Sequence, residues 1–344
     1  TCALPIWHPD VEECKQCIDF AFAYADKLLQ HKKPYERSVT LNLAGGETLI
    51  HPDITEILSY VRQLYETKYK KHWTFSIHVV TNGSIGKNVL EKCLPLIDHW
   101  AVSYHCEANA KQKLLCKDTI SLLKQNNKDP RVAVMMHSDE NYFEECVEII
   151  NWLDQSQIKY TPKVIGDVSV DESWTLNPTV HTYSENQTNF LIKQWNADTT
   201  NMIKAPDNRN IFASAGRGCC SGQGLCVNSD RKNLQNFVID RNFHNWFCSV
   251  NWYFLYIDQK NKMFYHNRSC RVNTQNKIGP LGSIMQTQEL LDELDQQLEH
   301  KQMPAIQCPK TLCGCGICAP KASSKQDFLE IIKIHLDSEV LNIP

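Results

Sequence analysis

Residues 38–69 read SVTLNLAGGETLIHPDITEILSYVRQLYETKY, and this stretch sets the pattern for the first half of the chain. It opens with a β-rich run and turns at two glycines and an acidic residue. It then continues with Pro52 in a first helical turn and apolar residues at helical spacing. A strand followed directly by a helix is the unit from which parallel sheets are built.

The same unit recurs along the chain. A second helical pattern, YFEECVEIINWLDQ, precedes the last of the β-rich runs. The predicted strands are SVTLNLAG (38–45), TFSIHVVTNG (74–83), HWAVSYH (99–105), RVAVMMH (131–137) and KYTPKVIGD (159–167). This alternation predicts an α/β fold with a parallel sheet and outer helices. In such sheets the chemistry gathers at the carboxyl ends of the strands.

The composition of the chain limits which classes of function are plausible. With 344 residues and 42% hydrophobic content, the chain can form one large domain with an appendage, or two domains. The 36 basic and 39 acidic side chains give a net charge of -3, and no basic stripe predicts a nucleic-acid partner. The longest apolar runs, such as CIDFAFAYA, are far shorter than the roughly 20 residues that cross a bilayer. We therefore expect a soluble, cytoplasmic protein with no nucleic-acid or membrane partner.

Sixteen cysteines are unevenly distributed, with nine of them between Cys219 and Cys318. The final stretch, CPKTLCGCGICAPK, holds Cys308, Cys313, Cys315 and Cys318. A disulfide framework is disfavoured, because the core is large and the two thiols of CGC cannot easily reach separate bridge partners. Metal ligation is preferred. The scattered cysteines of the first half are expected to pack as small buried hydrophobes: Cys93, Cys106, Cys116 and Cys146.

The strand ends carry a resemblance. AGGETLIHPDI resembles the GGEP motif of radical S-adenosylmethionine (radical SAM) enzymes, where L-x-HPD-I often follows. TNGS at the second strand end is also common in that family, and AVSYHCE and KVIGD stand where its later strand-end motifs occur. The resemblance covers roughly residues 38–167 and extends into the cysteine-rich tail. It implies a partial (βα)6 radical SAM barrel with a cysteine-rich α+β extension.

The resemblance also implies a SAM site. Gly45, Gly46 and Glu47 would hold the amino group of SAM. Residues near its carboxylate or ribose would be Asn82, Ser84 and Ser103, and those near its adenine would be Val164 and Ile165. A strand-to-helix turn also often uses glycines and an acidic residue for local reasons, and that structural interpretation stays open. His105 and His137 are either hydrogen-bonded residues of the barrel edge or catalytic groups, and the catalytic residues are unknown.

The tail adds a second resemblance. GRGCCSGQGLC contains Cys219, Cys220 and Cys226, and an aromatic β-hairpin candidate lies between Cys248 and Cys270. This arrangement looks like the SPASM or twitch extension that carries auxiliary [4Fe-4S] clusters in many radical SAM proteins. By that resemblance, Cys248, Cys270 and two cysteines of the final four would bind one cluster. The remaining cysteines could bind a second.

The tail departs from the SPASM pattern in two ways. No glycine lies a few residues before Cys270, and the C-x4-C-x-C-x2-C spacing is tighter than usual. Four cysteines can equally hold structural zinc. The tail cysteines alone favour iron and zinc about equally as the bound metal, and the barrel motifs favour iron.

The catalytic loop of the family, C-x3-C-x2-C, does not occur in the sequence. Its nearest counterpart, DVEECKQC, has Asp10 where the first cysteine should be. Residues 8–33 predict a long amphipathic helix with Cys14 and Cys17 one turn apart on one face. We expect that the chain begins after the loop and is itself inactive. The alternative is that Asp10, Cys14 and Cys17 form a degenerate site.

The predicted organisation has four parts. A partial barrel spans 8–167, a connecting segment 168–215, an auxiliary-cluster domain 216–322, and a final helix 323–344. Further helices are predicted in YSENQTNFLIKQW, QTQELLDELDQQLEHKQ and KQDFLEIIKIHL.

Two functions remain open at this point. The first is a radical SAM enzyme that reductively cleaves SAM to a 5′-deoxyadenosyl radical and abstracts hydrogen from a substrate. Peptide or protein substrates are usual for relatives with this tail. The electron donor of such an enzyme would be a flavodoxin or ferredoxin. The second is a non-catalytic, zinc-stabilised binding protein.

Overall fold

The structure is a computed structural model that describes residues 9–43, 47–170, 176–180, 183–197, 211–212, 244–266, 279–299, 306–309 and 321–335. The chain divides into two compact units. The first, here called the sheet unit, comprises Thr1–Lys15, Ser38–Gly166 and Val180–Thr199. The second, here called the C-terminal unit, comprises Gln16–Arg37, Asp167–Thr179 and Thr200–Pro344.

The sheet unit contains a five-stranded parallel sheet. Its strands are β1 (Ser38–Leu43), β2 (Thr74–Thr81), β3 (His99–His105), β4 (Arg131–Met136) and β5 (Tyr160–Val164). Their order in the sheet is the order in the chain, β1-β2-β3-β4-β5. A doubly wound sheet reverses its strand order at a central crevice, whereas a β/α barrel adds each strand beside the last. The fold is therefore a partial α/β barrel, as predicted.

Helices alternate with these strands along the chain. They are α2 (Ile54–Leu64), α3 (Lys87–Cys93), α4 (Ala110–Gln125), α5 (Glu140–Gln155) and α6 (Glu185–Ala197). Helix α1 (Val11–Gln30) precedes β1, and from Gln16 onwards it belongs to the C-terminal unit. Two of them begin at residues that cap their first turn. Asn109 accepts a hydrogen bond from the Gln112 N–H at α4, and Asp139 accepts one from the Asn141 N–H at α5. The helices predicted over 51–69 and 142–155 are confirmed, and the first continues beyond α2 as a π-helical turn, Tyr65–Tyr69.

Burial alternates along the central strands. In β3, Trp100, Val102 and Tyr104 are buried, whereas the residues between them are partly exposed. This period of two places one face of the strand in the core. The four scattered cysteines are buried in the sheet unit as predicted: Cys93, Cys106, Cys116 and Cys146.

The C-terminal unit is built from short strands. A hairpin of β10 (Tyr256–Asp258) and β11 (Met263–Tyr265) pairs with β12 (Gly282–Ser283). The predicted aromatic hairpin is thus confirmed. A second sheet has the order β13-β9-β14-β8, and its strands are β8 (Ile211–Phe212), β9 (Phe247–Cys248), β13 (Ile306–Gln307) and β14 (Lys321–Ala322). The strands β6 (Gly166–Val170) and β7 (Leu176–Val180) form a separate two-stranded sheet.

Helices complete the core of the C-terminal unit. They are α7 (Val250–Tyr253), α8 (Thr287–Glu299) and α9 (Lys325–His335). Phe20 of α1 stacks on Phe264 of β11, with ring centroids 4.2 Å apart, and Leu294 and Phe328 belong to the same buried cluster. The predicted α+β character of the extension is confirmed. The domain boundaries drawn from the sequence stay a prediction.

Candidate functional site

The carboxylate of Glu47 ties the loop after β1 to the end of β2. It accepts hydrogen bonds from the Thr81 hydroxyl at 2.8 Å and from the Asn82 N–H at 2.7 Å. It also accepts one from the Leu49 N–H at 3.3 Å and so caps the short 3-10 turn Thr48–Ile50. These contacts hold the carboxylate at the carboxyl edge of the sheet, where the sequence predicted it.

The charge of Glu47 is incompletely compensated. Burial raises the pKa of this carboxyl group, and the hydrogen bonds from Asn82, Thr81 and Leu49 act in the opposite direction. All three donors are neutral, and no Lys, Arg or His among the described residues forms an ion pair with Glu47. A half-buried carboxylate in this setting favours a cationic ligand group.

The turn after β2 is fixed by its glycine. Gly83 has φ +72°, and a Cβ atom there would lie 3.0 Å from the Cα of Cys116 in α4. The hydroxyl of Thr119 donates to the Gly83 carbonyl at 2.9 Å. Asn82 Oδ1 accepts from the Ser84 N–H at 2.8 Å. The structure therefore brings Glu47, Asn82 and Ser84 together in one network.

Ser103 lies on the neighbouring strand. Val102 of β3 pairs with Thr81 of β2, and Ser103 follows it in the chain and pairs with Ala133 of β4. Ser103 is thus one strand away from the turn that holds Asn82.

The two residues assigned to adenine contact lie at the far end of the sheet. Val164 pairs with Met136 of β4. The Ile165 N–H donates to the Tyr183 hydroxyl oxygen at 3.0 Å, and the Tyr183 hydroxyl donates to the Met136 carbonyl at 2.6 Å. The backbone N–H of Ile165 is therefore already used within the protein. Val164 and Ile165 are three strands away from β2 and do not join the Glu47 network.

Both strand-end histidines make local contacts. His105 Nδ1 lies 2.9 Å from a carboxylate oxygen of Glu107. His137 Nδ1 accepts from the Asp139 N–H at 2.9 Å, and its ring contacts Tyr142. The hydrogen-bonded interpretation fits both residues.

Sequence reasoning missed two residues of this edge. Thr81 bonds both oxygens of Glu47, and Tyr183 bridges the ends of β4 and β5. Thr81 lies directly before the quoted Asn82, so its position at a strand end was a usable signal. Tyr183 is 47 residues from its acceptor Met136, and no local pattern predicts that contact.

The second candidate site is the sheet β13-β9-β14-β8. Cys248 and Cys308 are both 5% exposed. Cys248 pairs with Ile306, and Cys308 lies two residues beyond Ile306, so strand alternation places both thiols on one face. On its other side Cys248 pairs with Lys321. Strands β13 and β14 therefore lie on the two sides of β9, and each has a residue opposite Cys248.

The donor chemistry of the C-terminal unit fits an iron–sulfur group. Thiolates are the usual ligands of such clusters, and two buried thiols share one face of a sheet. The unit also buries His266, whose two ring nitrogens have no hydrogen-bond partner in the part of the chain that the structure describes. Among those residues, no three His, Cys, Asp or Glu side chains are grouped so that they could hold one metal ion.

The remaining predicted site residues lie outside the described residues: Gly45, Gly46, Cys219, Cys220, Cys226, Cys270, Cys313, Cys315 and Cys318. Of the residues in the proposed degenerate site, Asp10, Cys14 and Cys17 lie at the start or within α1, and the two cysteines are buried. Within the described segments, no helix is both long enough and apolar enough to cross a membrane.

Comparisons with known proteins gave structural similarity only. No family model and no curated protein matches the sequence. The structure is similar to native anSMEcpe with bound AdoMet and the Kp18Cys peptide. That match has a TM-score of 0.48 and 11% identity, and covers 95% of this chain and 90% of the other. The same enzyme with AdoMet and the Cp18Cys peptide gives a TM-score of 0.48 at 11% identity, over 95% and 91% of the two chains. Likeness at this level assigns no function to the chain.

Proposed function

We propose that the chain is a radical SAM protein that binds SAM at the carboxyl edge of its sheet. One observation carries the proposal: the Glu47 carboxylate is half-buried, fixed by neutral donors, and has no cationic partner among the described residues. The ammonium group of SAM supplies that missing charge. A charge-assisted hydrogen bond in such a partly desolvated position is strong.

The other residues of this edge have supporting roles in the proposal. Gly45 and Gly46 let the backbone approach the ligand. Asn82 and Ser84 orient polar groups towards its carboxylate or ribose, with Ser103 beside them. Val164 and Ile165 contact its adenine through their side chains or carbonyls, since the Ile165 N–H is already bonded to Tyr183.

SAM supplies, on reductive cleavage, a 5′-deoxyadenosyl radical that abstracts hydrogen from a substrate. We propose a peptide or protein as that substrate and a flavodoxin or ferredoxin as the source of the electron. The contribution of the residues described above is to bind and orient the ligand. Catalytic residues are not assigned.

The C-terminal unit is proposed to hold auxiliary [4Fe-4S] clusters. Cys248 and Cys270, with two of the four cysteines Cys308, Cys313, Cys315 and Cys318, are the proposed ligands of one cluster. Strands β13 and β14 both pair with β9, with Ile306 and Lys321 opposite Cys248. Cys219, Cys220 and Cys226, with the remaining cysteines of the final four, are the proposed ligands of a second cluster.

The test of the SAM site compares two carboxylate variants. Glu47→Gln keeps the size of the side chain and one acceptor oxygen but removes the charge. Losing a charge-assisted hydrogen bond of about 1.5–3 kcal/mol weakens SAM binding about tenfold to a hundredfold. Anaerobic equilibrium dialysis with labelled SAM measures this.

The matched control is Asp98→Asn. Asp98 also bonds a strand N–H, that of Ile77 at 2.7 Å, but it precedes β3 at the opposite edge of the sheet and already pairs with Arg62. This variant should keep the SAM affinity of the unaltered chain. Equal SAM affinity in Glu47→Gln and the unaltered chain, or no SAM binding by either, would show that Glu47 has a structural role and does not bind SAM.

A further inference from the structure

The five-stranded sheet has an apolar face and a polar face. Ile77 and Val79 of β2 are buried, as are Trp100 and Val102 of β3, and the residues between them are more exposed. Because successive side chains of a strand point to opposite faces, the buried residues share the outer face, on which α4 and α5 pack. The residues between them form the opposite face, here called the inner face. The inner face is therefore the face that can meet a ligand.

Three basic side chains are neighbours on the inner face. His78 of β2 pairs with His99 of β3, and the centroids of their rings are 6.5 Å apart. Arg131 begins β4 and pairs with Ala101, two residues beyond His99. Arg131 is thus a diagonal neighbour of His99, at a Cα distance of about 7–8 Å that a long side chain can cross. His99 and Arg131 are exposed and His78 is half-buried. These three residues are here called the basic cluster.

No acidic side chain of the sheet balances the basic cluster. Strands β1 to β5 contain no Asp and no Glu. Asp98 and Asp129, which precede β3 and β4, are already paired with Arg62 and Lys159. Arg131 forms no ion pair with another residue that the structure describes. Side chains of one charge sign on the inner face of a barrel concentrate ligands of the opposite sign.

The donors of the basic cluster fit an oxyanion. The guanidinium of Arg131 presents parallel N–H groups that match the two oxygens of a carboxylate or phosphate. Each imidazole adds an N–H donor even when it is neutral. A metal ion fits poorly, because the guanidinium repels it and because the described residues contain no group of three His, Cys, Asp or Glu side chains that could bind one.

The basic cluster lies away from the proposed SAM site along the same sheet. Thr81, which donates a hydrogen bond to Glu47, is three residues beyond His78 in β2. At about 3.3 Å per residue, this places His78 about 10 Å from Thr81 along the strand. The ammonium and carboxylate groups of SAM are attached to one carbon atom, so they cannot span that distance. The basic cluster therefore suits an anionic group of a second molecule.

We infer that His78, His99 and Arg131 bind an oxyanion of the substrate, either a carboxylate or a phosphate group. The assignment to the substrate rests on the proposed function, whereas the oxyanion site can be measured without SAM. For a peptide substrate, the inference specifies an acidic or phosphorylated peptide. The basic cluster would hold that group, and the rest of the peptide would extend along the inner face towards the carboxyl edge of the sheet.

The experiment titrates the full 344-residue chain, labelled with ¹³C in its histidine rings, with inorganic phosphate and separately with acetate. The pH and ionic strength are held constant, and nuclear magnetic resonance follows the rings of His78 and His99, assigned from their glutamine variants. Both signals should shift and saturate, and the probe that binds more tightly identifies the anionic group. Arg131→Gln should weaken binding of that probe about tenfold to a hundredfold, because a charge-assisted hydrogen bond is lost. Arg131→Lys should be intermediate, since it keeps the charge without the parallel donors.

The control is Lys111→Gln, which removes a positive charge from an exposed position of α4 and should leave the affinity for both probes unaltered. Signals of His78 and His99 that do not respond to either probe, or equal affinity in Arg131→Gln and the unaltered chain, overturn the oxyanion site. Anaerobic dialysis with SAM separates the two proposals. A loss of SAM affinity in Arg131→Gln as large as that in Glu47→Gln overturns the assignment to the substrate. No SAM binding by the unaltered chain overturns the proposed function and the substrate assignment, while the phosphate and acetate titrations still decide the oxyanion site.

Discussion

The two units bury cysteines in different surroundings. In the sheet unit, Cys93 ends helix α3 and Cys116 lies within α4, and burial raises the pKa of these thiols to about 11 and about 12. Cys146 donates a hydrogen bond to the Met135 carbonyl at 3.4 Å. In the C-terminal unit, Cys248 and Cys308 lie in or beside strands of two residues.

The comparison shows that burial alone does not separate structural cysteines from the proposed ligands. All five thiols are nearly inaccessible. The metal ligand is the thiolate, and a raised pKa keeps Cys93 and Cys116 protonated.

The strands β1 to β5 have five to eight residues each, whereas β9 and β13 have two. The sheet unit can thus be stable through its own ladder and core, and the C-terminal unit is expected to depend on metal.

The largest expected effect is that of metal removal. Chelation of iron under anaerobic conditions should strongly reduce hydrogen-exchange protection in residues 244–266, because the proposed cluster would couple metal binding to folding there. Protection in the central strands β2, β3 and β4 should persist. Hydrogen exchange followed by mass spectrometry measures both regions in one sample. Equal loss of protection in both units would contradict the prediction that only the C-terminal unit depends on metal.

A smaller effect is expected from single thiols. Cys308→Ser should lose most of the bound iron of its cluster, since a serine hydroxyl is a poor replacement for thiolate. Cys93→Ser is the matched control, because it makes the same chemical change at a buried site outside the proposed cluster. It should lower the free energy of unfolding by about 1–3 kcal/mol through a buried hydroxyl and leave iron content unchanged. Iron analysis and denaturant titration of both variants test this prediction. Iron loss in Cys93→Ser would contradict the division of the cysteines into proposed ligands and structural residues.

A substitution that strains the backbone of the sheet unit should lower its stability and leave the iron content of the protein unchanged. Gly83→Ala places a side chain at φ +72° and within 3.0 Å of the Cys116 Cα. The strained backbone alone costs about 1–3 kcal/mol, and the contact adds to it. The denaturation midpoint of the sheet unit should fall while iron content stays constant. An unchanged midpoint would mean that the turn is not held as tightly as its contacts indicate.

The smallest expected effect is a pH dependence. Because burial raises the pKa of Glu47 in the folded state, its contribution to stability is fullest below the pKa of the unfolded chain and is lost as pH rises through the folded value. The unaltered chain should therefore lose stability relative to Glu47→Gln between acidic and neutral pH. Urea midpoints of both proteins across this range measure the difference. A difference that is constant with pH would show that Glu47 has no raised pKa.

The sequence predicts the sheet well for a physical reason. The β-rich runs TFSIHVVTNG and HWAVSYH alternate buried and less buried residues, and the local period of two is visible without any tertiary information. The long helix over residues 11–30 follows from its apolar spacing in the same way. Glu47 was identified because a motif marks the strand end.

Other parts of the site depend on contacts between distant residues. The absence of a cationic partner for Glu47 among the described residues follows from where every charged side chain lies after folding, and no local pattern contains that information. The Tyr183 hydroxyl reaches across 47 residues to the Met136 carbonyl. The unused nitrogens of His266 are visible only once its surroundings in the folded chain are known.

The identity of the metal tests the central claim most directly. The full chain, reconstituted anaerobically in the presence of both iron with sulfide and zinc, should be brown and contain iron and acid-labile sulfide. ⁵⁷Fe Mössbauer spectroscopy should show the iron in [4Fe-4S] clusters. A colourless protein with stoichiometric zinc would contradict the account and indicate a zinc-stabilised unit in place of an iron–sulfur one.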